Sequence, residues 1–213
     1  MDQKQSSNTQ YEKKTTRREA YTTRAIEECF LELLQQKPID KITVAEVCAK
    51  ADVNRSTFYR HYEDLYILLD SIADRYHREM FNDVIATVSF EPNFEKMGYH
   101  YILKVCEITQ RKKDIYKLLL FGATPTNLQQ RIAESSFDLY ISAHTQRSSL
   151  KPAPELELHY KYLVNGMLAV WTTWIQNDCK LPKEVVANVV KHQISAFFSC
   201  VGQLYSDRTA SKQ

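Results

Sequence analysis

The sequence predicts an all-α fold, and three observations predict it. Apolar residues recur at helical spacing, and from Phe94 onward helical periodicity is the sole pattern. Four glycines and six prolines in 213 residues leave room for long helices and few turns. Helix-start signals stand where these apolar stripes begin. A chain of this length can bury a sizeable core, as one helical domain or two. With 44% hydrophobic and 25% charged residues its composition is that of an ordinary soluble protein.

In order, residues 1–16 are polar, and a disordered arm is expected there. The Lys13, Lys14, Arg17 and Arg18 cluster, with Arg24 nearby, is the most basic local patch, either a solvated helix start or an arm that meets DNA phosphates or a minor groove. A first helix over 17–36 places Ile26, Cys29, Phe30, Leu33 and Leu34 on one stripe, and Pro38 ends it. Thr43 and Glu46 then form a Thr-x-x-Glu capping box. The short helix behind it has Val44, Val47, Cys48 and Ala51 on its apolar side. After Asp52-Val53, Asn54 is suited to cap a second short helix carrying Arg55, Ser56, Thr57, Tyr59 and Arg60. Two short helices joined by a tight turn, the second rich in hydrogen-bonding side chains, read as a DNA-binding helix-turn-helix. Its core takes Val44, Val47, Val53 and Phe58.

A long helix over 65–88, started by Glu63-Asp64, carries Leu65, Leu68, Leu69, Ile72, Tyr76 and Met80 on its apolar side, and Pro92 lies beyond its end. Further helices are expected over 94–110, 113–121, 126–145, 155–177 and 183–205. A second capping box at Thr126 and Gln129, an exposed loop over 146–154 and Pro182 at the start of the last helix complete the pattern. Tyr160, Leu163, Val164, Met167, Leu168, Trp171, Trp174 and Ile175 line one stripe, with Gly166 allowing close approach. Val186, Val189, Val190, Ile194, Phe197, Phe198 and Val201 line another, and Val185 and Tyr205 add apolar surface outside it. That excess favours a two-fold, four-helix interface between two copies. The expected organisation is an arm over 1–16, a DNA-binding domain over 17–64, a helical ligand-binding and dimerisation domain over 65–205 and a disordered tail over 206–213.

The block I-T-V-A-E-V-C-A-K-A-D-V-N-R-S-T-F-Y-R-H-Y, Ile42 to Tyr62, resembles the DNA-binding signature of the TetR/AcrR family of transcriptional regulators. The likeness covers about the first third of the chain. Asp52 stands where the family usually has glycine, and Leu65 where it usually has a phosphate-touching lysine. The segment W-T-T-W-I-Q-N-D, Trp171 to Asp178, resembles the subclass that includes dihydroxyacetone-kinase operon regulators. The resemblance implies a homodimeric, ligand-responsive regulator, most often a repressor, dimerising through its last two helices.

On this reading the DNA contacts fall to Thr43, Asn54, Arg55, Ser56, Thr57, Tyr59, Arg60, His61 and Tyr62, with Arg55 best placed for a guanine edge. The net charge of +2 confines any DNA contact to a local patch. The aromatic-rich C-terminal part suggests a cavity for a small molecule, lined by Tyr101, Cys106, Phe137, Tyr140, Tyr160, Asn165 and Trp171. An alternative is a regulator of the same fold with weakened DNA binding that acts through a protein partner, or one that activates rather than represses.

Catalysis is not expected. The six histidines are dispersed, and neither a Gly-rich phosphate loop nor a nucleophile elbow occurs. The five scattered cysteines have no Cys-x-x-Cys spacing, so neither disulfides, a metal nor another cofactor is expected. No signal peptide or ~20-residue apolar span is read, so the expected location is cytoplasmic, without a membrane partner.

Overall fold

The computed structural model describes residues 3–87, 94–122, 126–148 and 154–210, and the described residues are all helical apart from turns. Side chains are described over a narrower set, beginning at residue 19 and ending at residue 199. The helices are α1 (Gln3–Leu34), α2 (Val44–Lys50), α3 (Arg55–His61), α4 (Leu65–Thr87), α5 (Phe94–Arg111), α6 (Lys113–Phe121), α7 (Leu128–Ser148), α8 (Pro154–Gln176) and α9 (Lys183–Ala210). A single 3-10 turn, Ile39–Lys41, lies between α1 and α2. Two compact units are present, and the chain passes from the first to the second between Ile72 and Ala73, inside α4. The boundary was expected at 64/65; Leu65, Leu68, Leu69 and Ile72, all buried, fall on the first unit's side of this division.

In the first unit α1 lies against α2, and α2 against α3. Ile26, Phe30, Leu31, Ile39, Ile42, Val47, Cys48, Phe58 and Tyr62 fill the core. Of the expected α1 stripe, Cys29, Leu33 and Leu34 are only half-buried, and Leu31 and Glu27 take their place. Val44 and Val53 are also half-buried, so the head closes on Val47 and Phe58. The helix reaches back to Gln3 over the segment expected as a disordered arm. No glycine or proline interrupts it, and extending a packed helix through Gln, Lys and Arg costs far less than nucleating one. The side chains of Lys13, Lys14, Arg17 and Arg18 lie outside the described set.

In the second unit α5 lies along α9, α8 against both α7 and α9. Gly98 is what lets α5 approach: a Cβ there would stand 2.1 Å from Cδ1 of the fully buried Ile194. Buried polar atoms are paired, with the Trp171 indole donating to Thr109 Oγ1 at 3.0 Å and the Trp174 indole to the Leu181 carbonyl at 2.9 Å. Burial pushes the Cys106 thiol up to about 12, which makes it an inert core residue.

Three expectations change here. Thr126 does not make the capping box with Gln129; its hydroxyl donates to the Leu119 carbonyl at 2.6 Å and accepts from the Leu128 N–H at 3.3 Å. Helix α7 runs to Ser148, into the expected loop, and α9 runs to Ala210, into the expected tail. Pro92 and residues 149–153 lie outside the described residues. Among the described residues no helix is long and apolar enough to cross a membrane.

Candidate nucleic-acid interface

The reading helix is held at both ends by local chemistry. Upstream, Thr43 caps α2 with both halves of the capping box: its Oγ1 accepts from the Glu46 N–H at 3.2 Å, and Glu46 Oε2 accepts from the Thr43 N–H at 2.9 Å. Lys37 adds an ion pair to Glu46 at 2.6 Å; it is the foremost cause holding the Glu46 carboxyl below its usual range, ahead of Thr43. Asp52 makes the turn with φ 52°, a left-handed conformation that Asp tolerates better than most residues. The substitution of glycine at this point is therefore absorbed by the backbone.

Asn54 starts α3. Its Oδ1 accepts three hydrogen bonds, from the Thr57 N–H at 2.7 Å, the Thr57 hydroxyl at 2.8 Å and the Ser56 hydroxyl at 2.6 Å. Phe58 points inward and is fully buried. Arg55, Ser56, Tyr59 and Arg60 are exposed, and Thr57 is half-buried. Among the described residues Arg55 and Arg60 join no ion pair, whereas Lys37 and Lys50 are matched to Glu46 and Glu32. Two uncompensated positive charges therefore sit on α3, on the side that faces solvent. Tyr59 stands edge-on to Phe58, ring centroids 5.5 Å apart, which steadies an aromatic that is 57% exposed.

Two expected contacts need correction. Tyr62 is buried, and its hydroxyl donates to Glu27 Oε1 of α1 at 3.1 Å, so it ties the head together and its proton is not offered at the surface. His61 is half-buried, and its Nε2 atom is enclosed without a hydrogen-bond partner among the described residues, which removes that nitrogen from any DNA surface. The residue missed by sequence reasoning is Glu27, which the pattern could have revealed. It falls between Ile26 and Phe30 on the buried arc, where a carboxylate requires a donor. Leu65 is also buried, so the position where the resembled family usually has a phosphate-touching lysine serves the core. The first turn of α4 is capped instead by Asp64, whose Oδ1 accepts from the N–H groups of Tyr66 and Ile67, both at 2.8 Å.

Of the residues expected to line a small-molecule site, two border one cavity among the described residues. Tyr101 and Trp171 border a cavity of about 20 Å³, with Ile132, Ser136 and Val164 among its walls, and the Tyr101 hydroxyl lies 3.0 Å from Ser136 Oγ. That volume admits about one water. Cys106 and Tyr160 are buried in packing, and Phe137 is half-buried under the Lys161 ammonium, 5.5 Å from its ring centre. Asn165 is exposed and donates back to the Lys161 carbonyl at 2.8 Å, because it stands on the outer side of α8. The Tyr140 side chain lies outside the described residues.

A larger opening lies between α8 and α9, a groove of about 440 Å³ whose walls include Tyr162, Met167, Val170, Val189 and Phe197. Tyr162 is 80% exposed and Val189 43%. Val189 was expected in the buried stripe, but that stripe narrows to Val186, Val190 and Ile194, with Phe197 half-buried. Phe198, Val201 and Tyr205 lie outside the described side chains. Gly166 is exposed on the groove, and a Cβ there would meet nothing within 4 Å, so it serves no close approach inside the chain.

An all-helical chain with a capped helix-turn-helix head and a separate helical unit is a DNA-binding regulator in class. Comparison with known proteins places it within that class. Bacterial regulatory proteins of the tetR family match residues 31–69, and the transcriptional regulator C-terminal region of the same family matches residues 99–195. The chain belongs to the TetR family of transcriptional regulators, which are not enzymes. It is 31% identical over 83 residues to the uncharacterized HTH-type transcriptional regulator YxbF of Bacillus subtilis (strain 168), a match that spans 38% of this chain and 21% of that protein. Among solved structures it shares its fold with a TetR transcriptional regulator from Streptococcus agalactiae 2603V (TM-score 0.59, 23% identity, 84% of this chain and 97% of that one). It is similarly related to the dihydroxyacetone kinase operon activator DhaS (TM-score 0.57, 17% identity, 82% and 94%). At these identities the likeness is one of fold.

Proposed function

We propose that this regulator works as a homodimer whose two heads read a near-palindromic operator, repressing transcription by occupying it. The observation that carries the reading is the face of α3: Arg55, Ser56, Tyr59 and Arg60 project to solvent from a helix capped by Asn54 and anchored by Phe58 and Tyr62. A helix with that face fits a major groove, with Arg55 offered to a guanine edge for ~1–3 kcal/mol of discrimination. Thr43, exposed at the start of α2, is offered to the phosphate backbone. The open groove of α8 and α9 supports the dimer, since Leu158, Tyr162, Val185 and Val189 leave an apolar face that an isolated subunit would have to hold in water. Two heads related by a two-fold axis would meet half-sites one turn apart, ~34–36 Å, or a stretched version of that.

Ligand response would act by favouring one spacing of the two heads. It draws no support from the cavity beside Tyr101 and Trp171, which is too small for an effector. A second reading, action through a protein partner, is favoured by Leu65 and by the Asp64 carboxylate at the start of α4, which give up a lysine contact and place negative charge near the head.

The test is a salt series of binding to duplex DNA by the intact protein and by Arg55→Ala. Binding that weakens steeply with salt, and loses sequence preference in the variant, supports the DNA-reading dimer. Binding that ignores both salt and the substitution favours the partner.

A further inference from the structure

The cap on the reading helix sets the direction in which its hydroxyls can hydrogen-bond. A serine hydroxyl has one proton and two lone pairs. The Ser56 proton is committed to Asn54 Oδ1 at 2.6 Å and the Thr57 hydroxyl proton to the same oxygen at 2.8 Å. The orientation of the Asn54 amide is fixed independently, because the Thr57 backbone N–H, which can only donate, also points at that atom from 2.7 Å. Asn54 therefore turns its oxygen toward these donors and its Nδ2 amide away from them. Ser56 is exposed at the second position of α3, among the N-terminal residues that reach base edges in a helix-turn-helix. What it offers outward is an acceptor.

We infer that Ser56 is a specificity-determining residue that reads an exocyclic amino group, adenine N6 or cytosine N4, at one position of each half-site. The major-groove edges of guanine and thymine present only acceptors, and an acceptor facing them goes unpaired. By the same logic neither Ser56 nor Thr57 serves a phosphate, whose oxygens also only accept; among the donors left for the backbone at this end of the helix is Asn54 Nδ2. Arg55 and Ser56 then form a neighbouring pair of opposite polarity, a donor that suits guanine beside an acceptor that suits adenine or cytosine. The inference rests on the DNA-reading function proposed above and adds the chemistry of one base pair to it.

The experiment uses the intact protein on its best duplex from random-sequence selection, and on copies in which single adenines or cytosines are replaced by the purine or pyrimidinone analogue that lacks the exocyclic amino group. One replacement in each half-site should weaken the native protein roughly three- to tenfold, the size of a single hydrogen bond. It should leave the already weakened Ser56→Ala variant unaffected. Asn54→Asp keeps the cap oxygen and the Ser56 bond, so it should retain sensitivity to that analogue while binding every duplex more weakly, the carboxylate replacing a donor to phosphate. If Ser56→Ala changes no base preference, if the preference it removes is for guanine or thymine, or if every analogue weakens both proteins alike, the inference is overturned and DNA reading stands. If selection recovers no motif, the DNA-reading function fails and the inference with it.

Discussion

Tyr62 changes role between sequence and structure, and the reason is physical. An aromatic that ends a recognition helix can face phosphate or core with equal plausibility in sequence. The partner that decides is Glu27, 35 positions away, and no local pattern joins them. Tyr62→Phe should lower stability by ~1–2 kcal/mol in denaturant titration, since it removes the donor to a buried carboxylate, while the salt slope of DNA binding stays unchanged. Arg55→Ala should do the reverse, with an unaltered unfolding midpoint and ~1–3 kcal/mol less discrimination among duplexes. His77 gives a pH signature to the second unit. Burial, foremost, holds its imidazole below the usual value of about 6.5, with Arg131 and Arg78 acting the same way and Asp74 opposing them; its Nε2 lies 2.9 Å from Ser135 Oγ. The folded state thus binds the proton less readily than the unfolded chain. Its stability is fully present above about 6.5 and is lost as pH falls through the depressed folded value. His77→Gln should flatten that part of the pH–stability curve.

At the scale of elements, helices were legible wherever an apolar stripe and a start signal coincided. The Thr43 box, the Asn54 cap and the Leu65-to-Met80 stripe stand as read. Helix ends were less legible: α1, α7 and α9 outrun the expected limits because polar residues continue a packed helix without any stripe to mark them. The contact of α5 with α9 could not be read at all, since Gly98 looks like any helix glycine until Ile194 is placed beside it. Gly98→Ala should destabilise the protein by ~1–3 kcal/mol in thermal or denaturant unfolding, because a fully buried isoleucine must move to admit the new methyl. Gly166→Ala, with nothing near its Cβ, should leave the unfolding of a single subunit unchanged or slightly improve it.

For the whole molecule, the division of labour was legible: a helix-turn-helix signature in the first third, and helical periodicity after it. A cavity was not, because a list of aromatic residues says nothing about whether they converge; here Asn165 faces outward and Tyr101 and Trp171 close on about 20 Å³. The exposed groove between α8 and α9 belongs to this scale too, and Tyr162→Glu should shift the protein to a monomer in sedimentation by placing a charge on the proposed contact. The central claim, a dimer that reads sequence, is tested most directly by selecting binding sites from random duplex DNA with the purified full-length chain. The account predicts a near-palindromic motif with half-sites about one helical turn apart, ~34–36 Å, or a stretched version of that. Recovery of sequences with no shared motif, or of a single unpaired half-site, would contradict it.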